Sequence, residues 1–505
     1  MFKKLLNCFI VLTTVFLVAC SQSPKENKSD LNIIGGSELK AIAPLIDEAS
    51  NQLGFSINIK YVGTIDGVET VKAGSDYDIA WFGNSKYFYD TPESAKLIKS
   101  AEKIMLSPVI IGVKEDSFIK NKLSKTQQYS WKDIAEWVSI KHMTYAATDP
   151  STSNSGYVAL MGVVYSTSNS GENISVSNIK KDVLIDFFKG QKITAKSSNW
   201  IMDAFNKSTA DFVVNYETAI LNNPVKLIPV YPNEGIVTSD YQMLLLNSNK
   251  QEQYKQLVDF LKTKSSQEKL VNVYKYRSIL PEVMASQTIF NDDLLVEMPF
   301  NPNPELSDAI LLNYFNDYKK PSKFVFVVDT SGSMAGDRET SLKTTINDFV
   351  NGSIGKFATI RNREYVTVIP FSTAPYDLVT FDSSHKNDFN SYIQKLSMDN
   401  GTAMYDGVEK AIDYLIKQQE KDGDTYRYSI IVLTDGMSNE GSSLQEFKDW
   451  YSNKHIKEGD IRVFPIAFGD SDEDQLKSLA TITGGNLFSG KTSLSSAFKE
   501  IRSYQ

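Results

Sequence analysis

Asp329, Ser331 and Ser333 stand at alternate positions directly after an apolar run, Phe324 to Val328. Five consecutive β-branched or aromatic residues bounded by polar ones read as a buried central strand of a parallel sheet. Gly332 and Gly336 break regular structure after Asp329, which puts the two serines on a loop at the strand's carboxyl end. One carboxylate and two hydroxyls converging there suit a hard divalent cation, which takes oxygen ligands. Open α/β sheets bind their ligands at that same edge. Taken alone, Asp329 would more often be a helix cap or loop residue. A second apolar run, Ile430 to Leu433, also closes on a carboxylate, in Thr434-Asp435-Gly436.

The pattern Asp329-x-Ser331-x-Ser333 resembles the metal-ion-dependent adhesion site (MIDAS) of von Willebrand factor A domains, and the rest of that motif follows in order. Asn400-Gly401-Thr402 precedes a helical run, Met404 to Val408, and Asp435 ends the second buried strand. The resemblance covers roughly residues 320 to 505. It implies a doubly wound Rossmann-like domain in which Asp329, Ser331 and Ser333 contact the ion. Thr402 would join directly or through water, and Asp435 through water. The implied cofactor is a divalent cation, Mg²⁺ ahead of Mn²⁺ or Ca²⁺. The implied partner is a protein that supplies an acidic side chain to the metal.

The elements that position these residues alternate apolar strands with helical patterns. After Tyr318 come a strand to Asp329, a helix Glu339 to Val350, a strand Tyr365 to Phe371 and a helix Phe389 to Leu396. A helix Ala403 to Gln418, the strand Tyr428 to Thr434, a helix Leu444 to Tyr451 and a strand Ile461 to Phe468 continue the rhythm, and two short helices close it.

At 505 residues the chain is long enough for two or three domains. A net charge of −8 argues against a nucleic-acid backbone as partner. Lys3 and Lys4 precede an apolar stretch, Leu5 to Ala19, which is shorter than the ~20 residues that span a bilayer. It ends in Leu17-Val18-Ala19-Cys20, which resembles the bacterial lipobox. That resemblance implies cleavage after residue 19, lipid attachment at Cys20, a tether over 20–30 and residence on the extracytoplasmic face of the cell membrane; the alternative reading of the segment is an uncleaved membrane anchor. The other cysteine, Cys8, lies in the leader, so the mature chain would hold no disulfide.

Residues 31–300 read as another α/β domain. Leu31 to Ile34, Phe55 to Val62, Asp78 to Phe82, Met105 to Val113 (broken at Pro108), Asp211 to Val214, Val225 to Tyr231 and Gln242 to Leu246 read as strands, and Gln251 to Leu270 as helix. Gly36-Ser37 at the first strand-to-helix turn, Tyr77 to Ala80, Ser107-Pro108-Val109 and Tyr276-Arg277 give this part a resemblance to the two-lobed solute-binding proteins of ABC importers. Asp149 to Gly156 leads into the apolar run Tyr157 to Tyr165, and Ser and Asn before such a run are N-cap residues whose free amides favour anions. The resemblance implies a cleft in which Ser153, Asn154, Ser155 and Gly156 face Ser37, with Asn84, Ser107 and Glu217 around it, for a small anionic or carboxylate-bearing solute. The hexapeptide Ser-Thr-Ser-Asn-Ser-Gly recurs at 166–171, where it closes the helix, so that composition also suits a plain loop. Glu217 reads either as a contact for a cationic ligand group or as a surface residue. Trp81, Phe82 and Tyr216 read as cleft lining or as core.

Asn301-Pro302-Asn303-Pro304 marks the boundary, with 301–320 as linker and 321–505 as the second domain. His142, His385 and His455 form no metal or triad spacing, no phosphate loop appears, and no cysteine nucleophile survives processing. The expected function is therefore non-enzymatic binding at a membrane surface. Two alternatives stand beside adhesion: a substrate receptor of an ABC importer with the second domain accessory, and a scaffold with a degenerate cleft.

Overall fold

The computed structural model describes residues 30–505 except 90, 169–173, 292–296, 299–302, 356, 457–459 and 492. The leader, Cys20, Asn301-Pro302 and the second half of the second hexapeptide lie outside the described residues. The N-terminal domain contains β1 (Leu31–Gly36), β2 (Ile57–Val62), β3 (Ile79–Trp81), β4 (Ser100–Lys103), β5 (Met105–Lys114), β6 (Tyr145–Thr148), β7 (Gln191–Ala195), β8 (Phe212–Tyr216), β9 (Leu227–Val230), β10 (Thr238–Ser239), β11 (Gln242–Leu245) and β12 (Arg277–Ser278).

These strands make two sheets, hence two lobes. Lobe 1 has the order β2-β1-β3-β11-β4, and lobe 2 the order β10-β5-β8-β6-β7, with β9 and β12 also paired to β5. The long strand β5 follows β4 of lobe 1 directly in the chain and runs the length of the lobe 2 sheet. Its first half, Met105 to Pro108, pairs with β12 and β10, and its second half pairs with β8 and β9. The break expected at Pro108 does not occur: the strand runs through the proline, which faces Thr238 in the short pair with β10. A proline lacks only its own N–H, and a two-residue edge pairing tolerates that loss.

The helix expected after Ser153 is Asn154–Thr167, and nearly every residue in it is buried, as an all-round apolar sequence requires. Sequence reasoning left β6, β7 and the helices Lys181–Lys189 and Ser198–Lys207 unassigned. The two helices are amphipathic, and the two strands are only four and five residues long.

The C-terminal domain is a six-stranded doubly wound sheet. Its strands are β13 (Ser322–Asp329), β14 (Tyr365–Phe371), β15 (Val379–Asp382), β16 (Arg427–Thr434), β17 (Ile461–Ala467) and β18 (Phe488–Ser489), in the order β15-β14-β13-β16-β17-β18. All pairs are parallel except β14 with β15. Chain order reverses between β13 and β16. Such a switch point opens a crevice at the strands' carboxyl ends, because the connections leave in opposite directions. The strand interiors are buried on both faces, by Phe349 and Phe498 on one side and by Val408, Ile412 and Leu415 on the other.

The domains are packed together rather than strung out. The segment read as linker folds as a helix, Pro304–Asn313, continued by a turn of π-helix to Tyr318, and Tyr314 packs edge-on against Phe188 at 4.8 Å between ring centroids. The apolar core runs from Ile193, Ile201 and Phe205 of lobe 2 into Phe326, Phe349 and Phe498. At the chain's end Tyr504 packs on Trp200 (4.8 Å), and Arg502 makes a buried ion pair with Glu364 (2.8 Å).

Candidate metal centre and interlobe cleft

Asp329 closes β13 with its side chain fully buried. Its Oδ1 accepts the Ser331 backbone N–H at 2.8 Å, which folds the loop back over the strand end. Its Oδ2 accepts from Thr434 Oγ1 at 2.6 Å, the last residue of the neighbouring β16. Burial raises the Asp329 pKa, hydrogen bonds from Thr434 and Ser331 oppose that rise, and the Asp435 charge adds to it.

The serine loop spans the crevice. Ser331 Oγ and Ser333 Oγ lie 3.0 Å apart, and Ser333 Oγ donates to Asp435 Oδ1 at 2.8 Å. Thr402 arrives from the loop ahead of the helix Met404–Asp422. Its N–H donates to Asn439 Oδ1 at 2.9 Å, and its carbonyl accepts from Ser438 Oγ at 3.1 Å. Gly436 shows where these side chains aim: a Cβ there would stand 3.8 Å from Ser333 Oγ and 3.9 Å from Thr402 Oγ1. All five residues predicted for the metal therefore meet at the switch point.

The donor set fits a hard divalent cation. It offers two carboxylates and three hydroxyls, and among the described residues no group of three or more His, Cys, Asp or Glu offers a softer site. Asp329, Ser331, Ser333, Thr402 and Asp435 would hold the ion.

Arg338 was missed by sequence reasoning. It sits in the first turn of the helix Asp337–Asn351 and reaches back across the loop. Its Nη1 donates to Asp435 Oδ2 at 2.5 Å and its Nη2 to Asp470 Oδ2 at 2.7 Å. Gly469, at φ +57°, makes room, since a Cβ there would come within 2.8 Å of the guanidinium carbon. The available signal was a cation in the helix turn that follows the serine loop.

The interlobe cleft is closed by direct contacts between the lobes. Ser37 Oγ and Ser198 Oγ lie 3.2 Å apart, Tyr87 OH donates to Asn154 Oδ1 at 3.1 Å, and the Ile65 N–H donates to the Thr152 carbonyl at 3.1 Å. Asn154 Nδ2 donates to Ser239 Oγ at 3.1 Å and to Tyr216 OH at 3.4 Å. Ser37, Asn154 and Tyr216 thus border this junction, and Asn84 follows Gly83, where a Cβ would stand 2.8 Å from Tyr216 OH.

Other expected residues serve the scaffold. Ser155 Oγ pairs with Thr148 Oγ1 at 2.8 Å, and Ser153 Oγ lies 3.4 Å from Ser155 Oγ. Gly156 lets the helix approach β6, because a Cβ there would fall 2.2 Å from the Thr148 carbonyl oxygen. Ser107 Oγ accepts the Thr218 N–H at 3.2 Å. Glu217 is neither a surface residue nor a free ligand contact. It is fully buried, forms a two-point ion pair with Arg277 (2.7 and 2.8 Å) and accepts from Tyr231 OH at 2.6 Å. Its charge is already matched. Trp81 and Phe82 are core, and Trp81 Nε1 donates to the Tyr241 carbonyl at 3.1 Å.

Glu38, next to Ser37, folds its carboxylate back over Gly36 and accepts from Ser198 Oγ at 3.1 Å. An acidic side chain thus stands beside Ser37, where a small anionic or carboxylate-bearing solute was expected. The sequence signal was thin: a Glu directly after Ser37 in a helix opening.

Comparison with known proteins agrees with this architecture. Residues 31–272 match the family model of bacterial extracellular solute-binding proteins, and residues 324–503 match that of von Willebrand factor type A domains. The chain therefore combines an extracellular solute-binding domain with a C-terminal von Willebrand factor A domain, which implies an extracytoplasmic location. Inter-alpha-trypsin inhibitor heavy chain H3 of Mesocricetus auratus is 27% identical over 157 residues, 30% of this chain. The chain spans 17% of that relative's length. Among solved structures, the periplasmic binding protein AfuA from Actinobacillus pleuropneumoniae is 12% identical, with 58% of this chain and 99% of that chain covered and a TM-score of 0.47. The sulfate-binding protein SubI from Mycobacterium tuberculosis is 16% identical, with 51% and 89% covered and a TM-score of 0.41. Among the described residues no helix is long and apolar enough to cross a membrane.

Proposed function

We propose that this chain is a lipid-anchored extracytoplasmic binding protein that captures a protein partner through a divalent cation on its A domain and a small solute through its N-terminal domain. The observation that carries the reading is the meeting of Asp329, Ser331, Ser333, Thr402 and Asp435 at one sheet edge. Mg²⁺ is the first choice of ion, which when bound would polarise and accept an acidic oxygen from the partner. The chain's own part is to hold the oxygens in place. Asp329 is clamped by Thr434 and by its own loop, Ser333 is tied to Asp435, and Thr402 is fixed by Asn439 and Ser438. These positions are set before a partner arrives, which lowers the ordering cost of capture.

The test is calorimetric titration of the purified chain with MgCl₂ and MnCl₂. Saturable binding that Asp329→Ala abolishes supports the reading, and absence of binding at millimolar metal removes it. The anchor is tested separately: Cys20→Ala should leave an unprocessed precursor, and unchanged mature size and membrane retention would refute lipidation.

A second reading, a solute receptor for an importer with the A domain accessory, draws on the polar junction between the lobes. A solute that stabilises the chain equally with and without EDTA would favour it.

A further inference from the structure

We propose that the interlobe cleft takes a compact primary ammonium that also carries an oxygen acceptor, with Glu38 receiving the ammonium and Asn84 donating to the oxygen. This deepens the reading of the N-terminal domain as a solute receptor and rests on it.

The inference starts from polar atoms buried at the junction. Among the described residues, Asn84 Nδ2 has no hydrogen-bond partner, and Glu38 Oε1 and Tyr241 OH have none beyond their contact with each other. Glu38 is 8% exposed, Asn84 2% and Tyr241 0%. A buried polar atom without a partner is rare in folded proteins, because each forfeits its hydration without return. Glu38 and Asn84 thus each keep hydrogen-bonding capacity at this junction for another molecule.

They also cluster. A Cβ on Gly83 would meet Tyr216 OH at 2.8 Å and Glu38 Oε1 at 3.3 Å, and Asn84 is the next residue. Asn84 already spends its oxygen on the Lys86 N–H at 3.0 Å, which leaves its two N–H donors to face a ligand acceptor. Glu38 Oε2 is taken by Ser198, which leaves Oε1 to accept from a ligand donor.

Charge decides the class. The groups that act on Glu38 are its own backbone N–H, Ser198 and Tyr241, none of them cationic, while burial raises its pKa. Glu217, the acid that directly follows β8, is by contrast fully paired with Arg277. A buried carboxyl lacking a counter-ion is costly, and an arriving ammonium would supply one. An oxyanion would place a like charge beside it. The surroundings favour a cation as well: Tyr216, Tyr241 and Tyr276 stand in sequence, with ring centroids 6.0 and 5.3 Å apart, and aromatic faces attract cations.

The test is isothermal titration of the whole chain with four probes: ethanolamine, glycine, glycerol and inorganic phosphate. Saturable binding of ethanolamine or glycine, weakened at least tenfold by Glu38→Gln, is the expected result. Glu38→Gln keeps the shape and removes a buried charge, so its melting temperature should be at or above wild type, and its response to MgCl₂ should be unchanged. Binding of glycerol or phosphate alone, or equal ammonium affinity in Glu38→Gln, overturns the ligand class and leaves the receptor reading standing. No saturable heat with any probe overturns both.

Discussion

Arg338 Nη1 donates to Asp435 Oδ2 at 2.5 Å, so the second carboxylate of the candidate metal centre already has a cation from its own domain. Asp329 and Asp435 end adjacent parallel strands. Without a counter-charge, two carboxylates ~4 Å apart would repel by about 4 kcal/mol at an effective dielectric of 20. The guanidinium relieves part of that repulsion, and Ser333 Oγ donates a further hydrogen bond to Asp435. Arg338 is held by Asp470 as well, and that second partner is exposed.

Arg338→Ala should therefore lower the metal-free melting temperature and enlarge the stabilisation by Mg²⁺, because the ion then meets an uncompensated pair. Differential scanning calorimetry of the whole chain with EDTA and with MgCl₂ reads both effects. An unchanged Mg²⁺ shift would mean that guanidinium and ion do not share Asp435.

Asp329→Ala should abolish the metal response altogether. Wild type should gain about 2.7 kcal/mol at a metal concentration one hundred times Kd, from the mass-action relation for a ligand bound only by the native state. Ser331→Ala and Ser333→Ala each remove one oxygen and leave both charges, so they should weaken the response without erasing it. Identical melting of wild type and Asp329→Ala in millimolar MgCl₂ would show the five residues to be a relic.

Glu217→Gln should destabilise the N-terminal domain by about 3–5 kcal/mol, the usual cost of removing one partner from a buried ion pair. Arg277 would keep its charge, mostly buried, between Tyr231 and Phe290. Replacing both members, Glu217→Leu with Arg277→Met, should recover much of that loss. Urea denaturation compares the three chains. A single variant as stable as wild type would mean that Glu217 is not the structural residue its contacts imply.

Lys319 gives the junction between the domains a pH dependence. Burial lowers its pKa to about 7, with Asp149 opposing the shift and the charges of Arg502 and Arg427 reinforcing it. The unfolded chain keeps this proton up to about pH 10.4, so between pH 7 and 9 it binds a proton that the folded chain lacks. Stability should rise with pH across that window, by up to about 1.4 kcal/mol per unit, and be insensitive to this group below it. Lys319→Met should flatten the rise. Urea midpoints at pH 7, 8 and 9 for both chains check the sign, and equal slopes would exclude Lys319 as the source.

Both folds were legible because their strands carry long apolar runs. Phe324 to Val328 and Ile430 to Val432 cannot be accommodated except inside a sheet, and their terminal acids mark where the sheet stops. The metal residues were legible for a related reason: each stands at a fixed offset from such a run, so the offset survives without knowledge of the packing. The short strands β6 and β7 lack that length, and Pro108 misled because the brevity of its partner strand is a tertiary fact.

The sequence by itself determined the α/β alternation, the two-domain order and the five oxygens at the switch point, since local apolar periodicity and chain direction decide all three. Only the tertiary structure decided what each charge faces. Glu217 meets Arg277 across 60 positions, Asp435 meets Arg338 across 97, and Ser198 reaches Glu38 across 160. Whether a buried acid is a scaffold pair, a metal ligand or an open receptor for a cation depends on the neighbour that folding brings to it. Electrostatic energy depends on distance in space and on burial, and chain spacing encodes neither for residues so far apart.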